Sequence, residues 1–244
     1  MINLVVPMAG AGSRFSVAGY ANPKPFIEVM GKPMIQWVIE NLAPKVEHRF
    51  IFICQKAHQE KFSFEKTLQQ LRPGSIVLGI DGLTQGAAET VLFATDLIDN
   101  DIPLVIANSD QFIEYNMDNF FRSLDAKNAE GRILTMTSRE TKWSYIKYNK
   151  NLKVTEVREK EVISDEATVG IYGFAKGSDF VRGALKMIKS DSRVNGEFYV
   201  APVYNELIKE GHNISFENIG TDKEQMNGLG TPEDLLLFLR KMQP

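Results

Sequence analysis

The sequence predicts an α/β protein built on a Rossmann-like open sheet, mixed but mostly parallel, with helices on both faces. Short apolar, β-rich runs alternate with longer helix-period segments along the first half, the pattern of a parallel sheet covered on both sides. A glycine loop directly follows the first of these runs, in the place where open parallel sheets bind ligands. The bulk composition agrees. A chain of 244 residues, 43% hydrophobic and 24% charged, has ordinary globular usage and can bury a large core.

The elements follow in order. Leu4 to Met8 reads as a buried strand, and Met34 to Leu42 as a helix with Pro33 suited to its first turn. Arg49 to Cys54 is a second strand; Ala57 to Leu71 is a second helix, ended by Pro73-Gly74. Ile76 to Ile80, a helix at Ala87 to Ile98, and a strand at Pro103 to Ala107 complete the alternation. The rhythm then changes. Asn116 to Asn128 has helical spacing, Arg132 to Ser138 is a strand, and Tyr145 to Arg158 reads as a hairpin turning at Asn149-Lys150-Asn151. A strand at Thr168 to Phe174, helices at Ser178 to Ile188 and Tyr199 to Glu210, a strand at Ile214 to Asn218, and a helix from Pro232 follow. No linker, low-complexity segment or internal repeat interrupts them, so one domain over 1–244 is expected.

Charge and composition exclude several classes. The net charge is −3, with 28 basic and 31 acidic residues mixed along the chain, and no basic run suggests a nucleic-acid footprint. No 18-residue apolar stretch would cross a bilayer, and Met1 to Pro7 lacks the basic start of a signal peptide. The single cysteine, Cys54, cannot form an internal disulfide and sits in an apolar run, where a packed structural thiol is expected. A cytoplasmic protein without a membrane or nucleic-acid partner is the expectation. His48, His58 and His212 lie apart in sequence, and nothing resembles a nucleophilic triad or zinc cluster. Oligomeric state leaves no trace.

The densest signal is Pro7-Met8-Ala9-Gly10-Ala11-Gly12-Ser13-Arg14-Phe15. Glycines here let backbone N–H groups close around phosphate oxygens, and Arg14 adds a planar charged fork. A dinucleotide fingerprint fails, because Phe15 stands at its third glycine, and the Walker A pattern is absent. A plain tight turn is the remaining alternative. Against that stands Asn22-Pro23-Lys24-Pro25-Phe26, where two prolines limit the freedom of one lysine, followed by Gly31-Lys32-Pro33-Met34 opening a helix. Two fixed cations beside a glycine loop suit a polyphosphate.

Together, Gly10 to Arg14, Pro23 to Pro25 and Gly31 to Met34 form the pattern G-x-G-[ST]-R, P-K-P, G-K-P-[ML]. In this the sequence resembles the sugar-phosphate nucleotidyltransferases (NDP-sugar pyrophosphorylases), strongly over roughly the first 110 residues and as scattered motifs beyond. The resemblance implies a nucleotide-diphospho-sugar transferase fold, with a nucleotide half over 1–112 and a sugar-phosphate half over 113–244. It also implies Mg²⁺ dependence and attack of a sugar phosphate on the α-phosphorus of an NTP. Arg14 would hold the triphosphate, Lys24 the phosphates at the reacting centre, and Ala9, Gly10, Ala11, Gly12 and Ser13 the loop around them. Leu83 to Thr90 precedes a helix, with Thr84 a candidate cap; by the resemblance Gln85 and Gly86 become base contacts. Asp110, at the end of a strand, becomes the Mg²⁺ ligand, its alternative being a turn cap.

In the second half, Val157-Arg158-Glu159-Lys160 resembles the family segment whose glutamate contacts sugar hydroxyls and whose lysine contacts the sugar phosphate; a solvated charged turn is the competing reading. Gly170 and Glu197 resemble further sugar contacts. One departure stands out. Gly228 occupies the place of the family's second metal-binding aspartate, within Met226-Asn227-Gly228-Leu229-Gly230-Thr231. Asp110 with substrate phosphates could hold the metal, another carboxylate such as Asp222 could replace the missing one, or catalysis could be lost.

The expected mechanism needs no general base, because a phosphate monoester with a second pKa of about 6 is already an anionic nucleophile at neutral pH. Two rivals remain from sequence. A glycosyltransferase would prefer a D-x-D motif, of which Ser109-Asp110-Gln111 is a poor version; a non-catalytic nucleotide-binding subunit would explain Gly228. The chain ends about where a nucleotidyltransferase domain should, with no hexapeptide repeat after it. Short members of the family often serve surface-polysaccharide pathways, an association of the family alone. Neither the base nor the acceptor is legible.

Overall fold

The computed structural model describes residues 1–124 and 129–242. Its central strand is β1 (Ile2–Pro7), whose alternate side chains enter different cores: Leu4 and Val6 face one side of the sheet, Val5 the other. The chain next forms α1 (Ser13–Val17), a 3-10 turn at Lys24–Phe26, a small hairpin of β2 (Glu28–Val29) and β3 (Lys32–Pro33), and α2 (Met34–Leu42). Strand β4 (His48–Gln55) follows, then α3 (Lys56–Phe62), α4 (Phe64–Leu71), β5 (Ile76–Ile80), α5 (Ala87–Leu92), α6 (Thr95–Ile98) and β6 (Leu104–Ala107). The second half runs through β7 (Gln111–Ile113), α7 (Met117–Leu124), β8 (Gly131–Thr137), β9 (Ser144–Tyr148), β10 (Val154–Glu159) and β11 (Glu166–Phe174). It closes with α8 (Gly177–Lys189), α9 (Val203–Lys209), β12 (Ile214–Thr221), β13 (Met226–Gly228) and α10 (Pro232–Lys241).

Among the described residues nine strands form one sheet. β6, β1, β4 and β5 lie side by side and parallel, as the alternating first half predicts. β11 joins the halves. It pairs antiparallel with β6 through Ile171–Phe174, meets β9 at Ala167, and carries β8 and then β12 on its other edge. Because β4 and β6 flank β1 on opposite sides, the connections leave β1 in opposite directions. That is a topological switch point, and it opens a crevice at the carboxyl ends of β1 and β6.

Apolar side chains from α2, α4 and α7 cover one face, and those of α5, α8 and α9 the other. A third, smaller core joins the ends of the chain: Phe15, Val29 and Met34 pack with Leu229, Leu235 and Phe238. It binds the glycine-loop segment to α10.

Several elements differ from the sequence pattern. The single helix expected over Ala57 to Leu71 is broken at Ser63, which adopts φ 52°, so that Phe64 turns inward and stacks on Phe26 at 3.8 Å. The helix expected from Ala87 to Ile98 divides at Phe93-Ala94. That expected from Tyr199 begins only at Val203, since Pro202 fixes its cap while Val200 and Ala201 are buried first. A short helix, α1, follows the glycine loop, where none was evident. Of the helix expected at Asn116 to Asn128, residues 125–128 lie outside the described residues. Cys54 is fully buried, and burial raises its thiol pKa to about 11.

Candidate active site

The crevice at the switch point is a cleft of about 550 Å³. One wall comes from the loops after β1 and β6. Pro7, Met8, Ala9, Gly10, Ala11 and Arg14 line it from the first, Asn108, Ser109 and Asp110 from the second. Lys24 enters from the 3-10 turn. The prolines at 23 and 25 close that turn, in which Phe26 N donates to Pro23 O at 2.8 Å, and the Phe26–Phe64 stack anchors it to α4. The Lys24 Nζ donates to Asp110 Oδ2 at 2.8 Å, with each side chain about one-quarter exposed. Arg14 is exposed at the mouth and makes no ion pair among the described residues.

The other wall comes from the second half of the chain. Glu159 is 9% exposed and receives a hydrogen bond from Ser144 Oγ. Burial raises its carboxyl pKa, and the nearby Glu197 adds to the rise, against the opposing pull of Ser144 and Lys160. Lys160 Nζ donates to Tyr199 Oη at 2.5 Å and lies 4.7 Å from that ring's centre. Burial disfavours its charged form, but Tyr199, Glu159 and Glu197 outweigh this and raise its pKa. Lys142 also reaches the cleft, held by Glu140 at 3.0 Å and Asp234 at 3.7 Å and stacked on Trp143.

Two glycines stitch the walls together. Gly86 adopts φ +136°, and a Cβ there would collide with the Phe198 backbone. The contact is a ladder: Phe198 N donates to Gln85 O at 2.7 Å, and Ala88 N to Phe198 O at 3.0 Å. Gly170 sits at an irregularity of β11 with φ +74°, where a Cβ would collide with Asn108 and Gln111, and Asn108 N donates to its carbonyl at 3.0 Å. The glycine expected to face a sugar thus also lets β11 approach the Asp110 loop.

Of the residues expected from sequence, the cleft gathers Ala9, Gly10, Ala11, Arg14, Lys24, Gly86, Asp110, Glu159, Lys160, Gly170 and Glu197. It does not gather Gly12, Ser13 or Gln85. Gly12 and Ser13 turn into α1, with Gly12 as its left-handed cap. Gln85 turns back toward its own helix: its backbone N donates to Glu89 Oε2 at 2.5 Å and its Nε2 reaches Glu89 Oε1 at 3.4 Å. In its place Leu83 and Thr84 face the cleft. Thr84 is no side-chain cap of α5; its hydroxyl bonds Gly86 O and Thr90 Oγ1 instead. Sequence reasoning missed Asn108, Lys142, Trp143, Ser144, Thr168 and Tyr172. Their one legible signal was position, since Asn108 and Ser144 border strands whose ends converge on the cleft.

Asp110 can accept a cation. An ammonium already stands on its carboxylate, and the facing backbone carries no side chain, since a Cβ on Gly230 would lie 2.8 Å from Asp110 Oδ2. A single carboxylate suits Mg²⁺, which keeps waters and takes substrate oxygens.

A family model described as nucleotidyl transferase matches residues 5–218. The bifunctional protein GlmU of Thermodesulfovibrio yellowstonii is 24% identical over 257 residues, 99% of this chain and 52% of that protein. The GlmU of Methanococcus maripaludis is 26% identical over 96% of this chain and 53% of its own length. The chain thus spans about half the length of these curated relatives. Among solved structures, the nucleoside-diphosphate-sugar pyrophosphorylase of Vibrio cholerae superposes with a TM-score of 0.81 at 26% identity, covering 97% of this chain and 99% of that one. The inositol-1-phosphate CTP transferase of T. maritima, 14% identical, shares the fold with a TM-score of 0.73 over 98% of this chain and 94% of its own.

Proposed function

The chain belongs to the nucleotidyl transferase family, and from that premise we propose that it joins an NTP to a sugar 1-phosphate or similar small phosphate, releasing pyrophosphate. The observation that carries this reading is the convergence of Lys24, Asp110 and the Gly10–Ala11 loop on one wall of a cleft whose other wall bears Lys160 and Glu159. Cations on both sides of a crevice fit two phosphate groups brought face to face.

In this reading the backbone of Ala9 to Ala11 and the Arg14 guanidinium bind the triphosphate. Lys24 places its ammonium at the α-phosphate, where charge shifts toward the departing pyrophosphate. Lys160 orients the acceptor phosphate as the nucleophile, and Glu159 and Glu197 accept hydrogen bonds from acceptor hydroxyls. The acceptor phosphate attacks with its own charge, so no side chain has to remove a proton. Mg²⁺ held by Asp110 and the substrate oxygens would neutralise triphosphate charge. Alignment of two bound phosphates supplies much of the rate. The buried thiol of Cys54 and the absence, among the described residues, of a helix long and apolar enough to cross a membrane accord with work in the cytoplasm.

The test is pyrophosphate release from a matrix of NTPs and sugar 1-phosphates with Mg²⁺. At least one pair yields pyrophosphate in step with a nucleotide-linked product. Consumption of a preformed NDP-sugar with transfer of its sugar, or binding of nucleotide with no turnover across the matrix, would instead favour a glycosyltransferase or a binding subunit.

A further inference from the structure

We propose that Asp234 supplies the second carboxylate of the cation site that Asp110 opens, an inference that rests on the reading of Asp110 given above. The sequence leaves a gap at Gly228, and the structure fills it. A Cβ on Gly228 would lie 3.4 Å from Asp234 Cγ, while a Cβ on Gly230 would lie 2.8 Å from Asp110 Oδ2. The backbone of Gly228-Leu229-Gly230 therefore runs beside both carboxylates, tied in place by Leu229 N donating to Asp110 O at 2.8 Å. The space that a side chain at 228 would enter is taken by the carboxylate of Asp234, reaching over from the first turn of α10. Backbone conformation does not explain the glycine, since Gly228 is not among the residues with positive φ. A Cβ there would rest in ordinary contact with the Asp234 side chain, which occupies the ground a longer side chain would need.

A second observation points the same way. Gln111 is 2% exposed, and it faces Gly228 across the β7–β13 ladder, so its side chain leaves the same face as the gap. Its Nε2 has no hydrogen-bond partner among the described residues. A buried amide donor without an acceptor is costly, and the water shell of a bound cation would provide one. Ammonium groups already stand by the two carboxylates, Lys24 Nζ at 2.8 Å from Asp110 and Lys142 Nζ at 3.7 Å from Asp234, and both lysines line the cleft. A divalent cation would displace them toward substrate phosphates. Asp222, the replacement suggested by sequence, is engaged elsewhere: it accepts from Ser138 Oγ at 2.5 Å.

The experiment titrates the protein with Mn²⁺, whose free form is followed by electron paramagnetic resonance, a reading independent of turnover. Asp234→Asn keeps the side-chain shape and the backbone bond to the Thr231 cap (3.1 Å), and circular dichroism checks its fold. It is expected to weaken Mn²⁺ binding by about tenfold or more, the low end of what loss of even an outer-sphere partner costs. Asp110→Asn should do at least as much, and Asp222→Asn nothing. A double variant, Asp234→Ala with Gly228→Asp, which empties the space beside position 228 before refilling it, should regain binding, and it decides the matter if the single variant folds poorly. Weakening by Asp110→Asn but not by Asp234→Asn, or no recovery in the double variant, overturns the inference and leaves the function intact. Unchanged binding in both single variants overturns the metal role of Asp110 as well.

Discussion

The role proposed for Lys24 rests on what surrounds it rather than on its own chemistry. Two prolines fix the turn that carries it, Phe26 nails that turn to α4, and Asp110 receives its ammonium at 2.8 Å. An ion pair with both partners a quarter exposed contributes only about 0–1 kcal/mol to folding. Lys24→Ala and Asp110→Ala should therefore remain folded by circular dichroism while each loses roughly 100- to 1,000-fold in turnover, the scale of losing one preorganised charge. Turnover near the parent level in either variant would contradict the site. Glu159 gives a pH test. Its carboxyl pKa is raised in the folded protein chiefly by burial, so the folded state holds the proton more firmly than the unfolded chain. The stability that this group contributes is present below the unfolded value and is lost as pH rises through the folded one. Glu159→Gln, which keeps an oxygen for Ser144, should show a melting temperature that gains on the parent as pH rises from 4 toward neutrality and then levels off. A gap that narrows over that range would contradict the burial argument.

At the scale of elements, the cleft depends on loops whose form no periodic pattern reveals. The β1 loop and the Lys24 turn were legible because their glycines and prolines dictate backbone shape directly. The contact of Gly86 with Phe198 was not, because it joins segments over one hundred residues apart and only the fold brings them together. For the same reason the setting of Gln85 was not legible: its amide has the right chemistry for a base edge, and in the structure it lies 3.4 Å from Glu89, one helical turn later. Lys142 and Trp143 carried no signal, since a lysine before an aromatic residue is common on any surface. Ser63 broke an otherwise convincing helix because the packing of Phe64 on Phe26 outweighed local helix preference. Gly86→Ala should cost about 1–3 kcal/mol for the left-handed backbone alone, with a further clash against Phe198. Urea denaturation measures it, and an unchanged midpoint would show that the two walls are not held by this contact.

At the scale of the whole molecule, the parallel half of the sheet was legible and the antiparallel joint was not. Alternating strands and helices predicted β1, β4, β5 and β6, and composition confined the core to their apolar faces. Nothing local announced that β11 would pair with β6 and so set the wall from the second half of the chain opposite the wall of the β1 and β6 loops. That pairing makes a cleft from two half-sites, and it places Lys160 and Glu159 across from Lys24 and Asp110. The C-terminal helix α10 then closes the arrangement through the small core it shares with Phe15 and Met34, bringing Asp234 beside the Gly228–Gly230 backbone.

The most direct measurement is a crystal structure of the protein soaked with Mg²⁺ and the NTP that supports pyrophosphate release. The triphosphate should lie against Gly10, Ala11 and Arg14, with Lys24 turned from Asp110 toward the α-phosphate and the metal bound to the Asp110 carboxylate. A nucleotide bound elsewhere on the molecule, or in the cleft with its phosphates directed away from Lys24 and Asp110, would contradict the account.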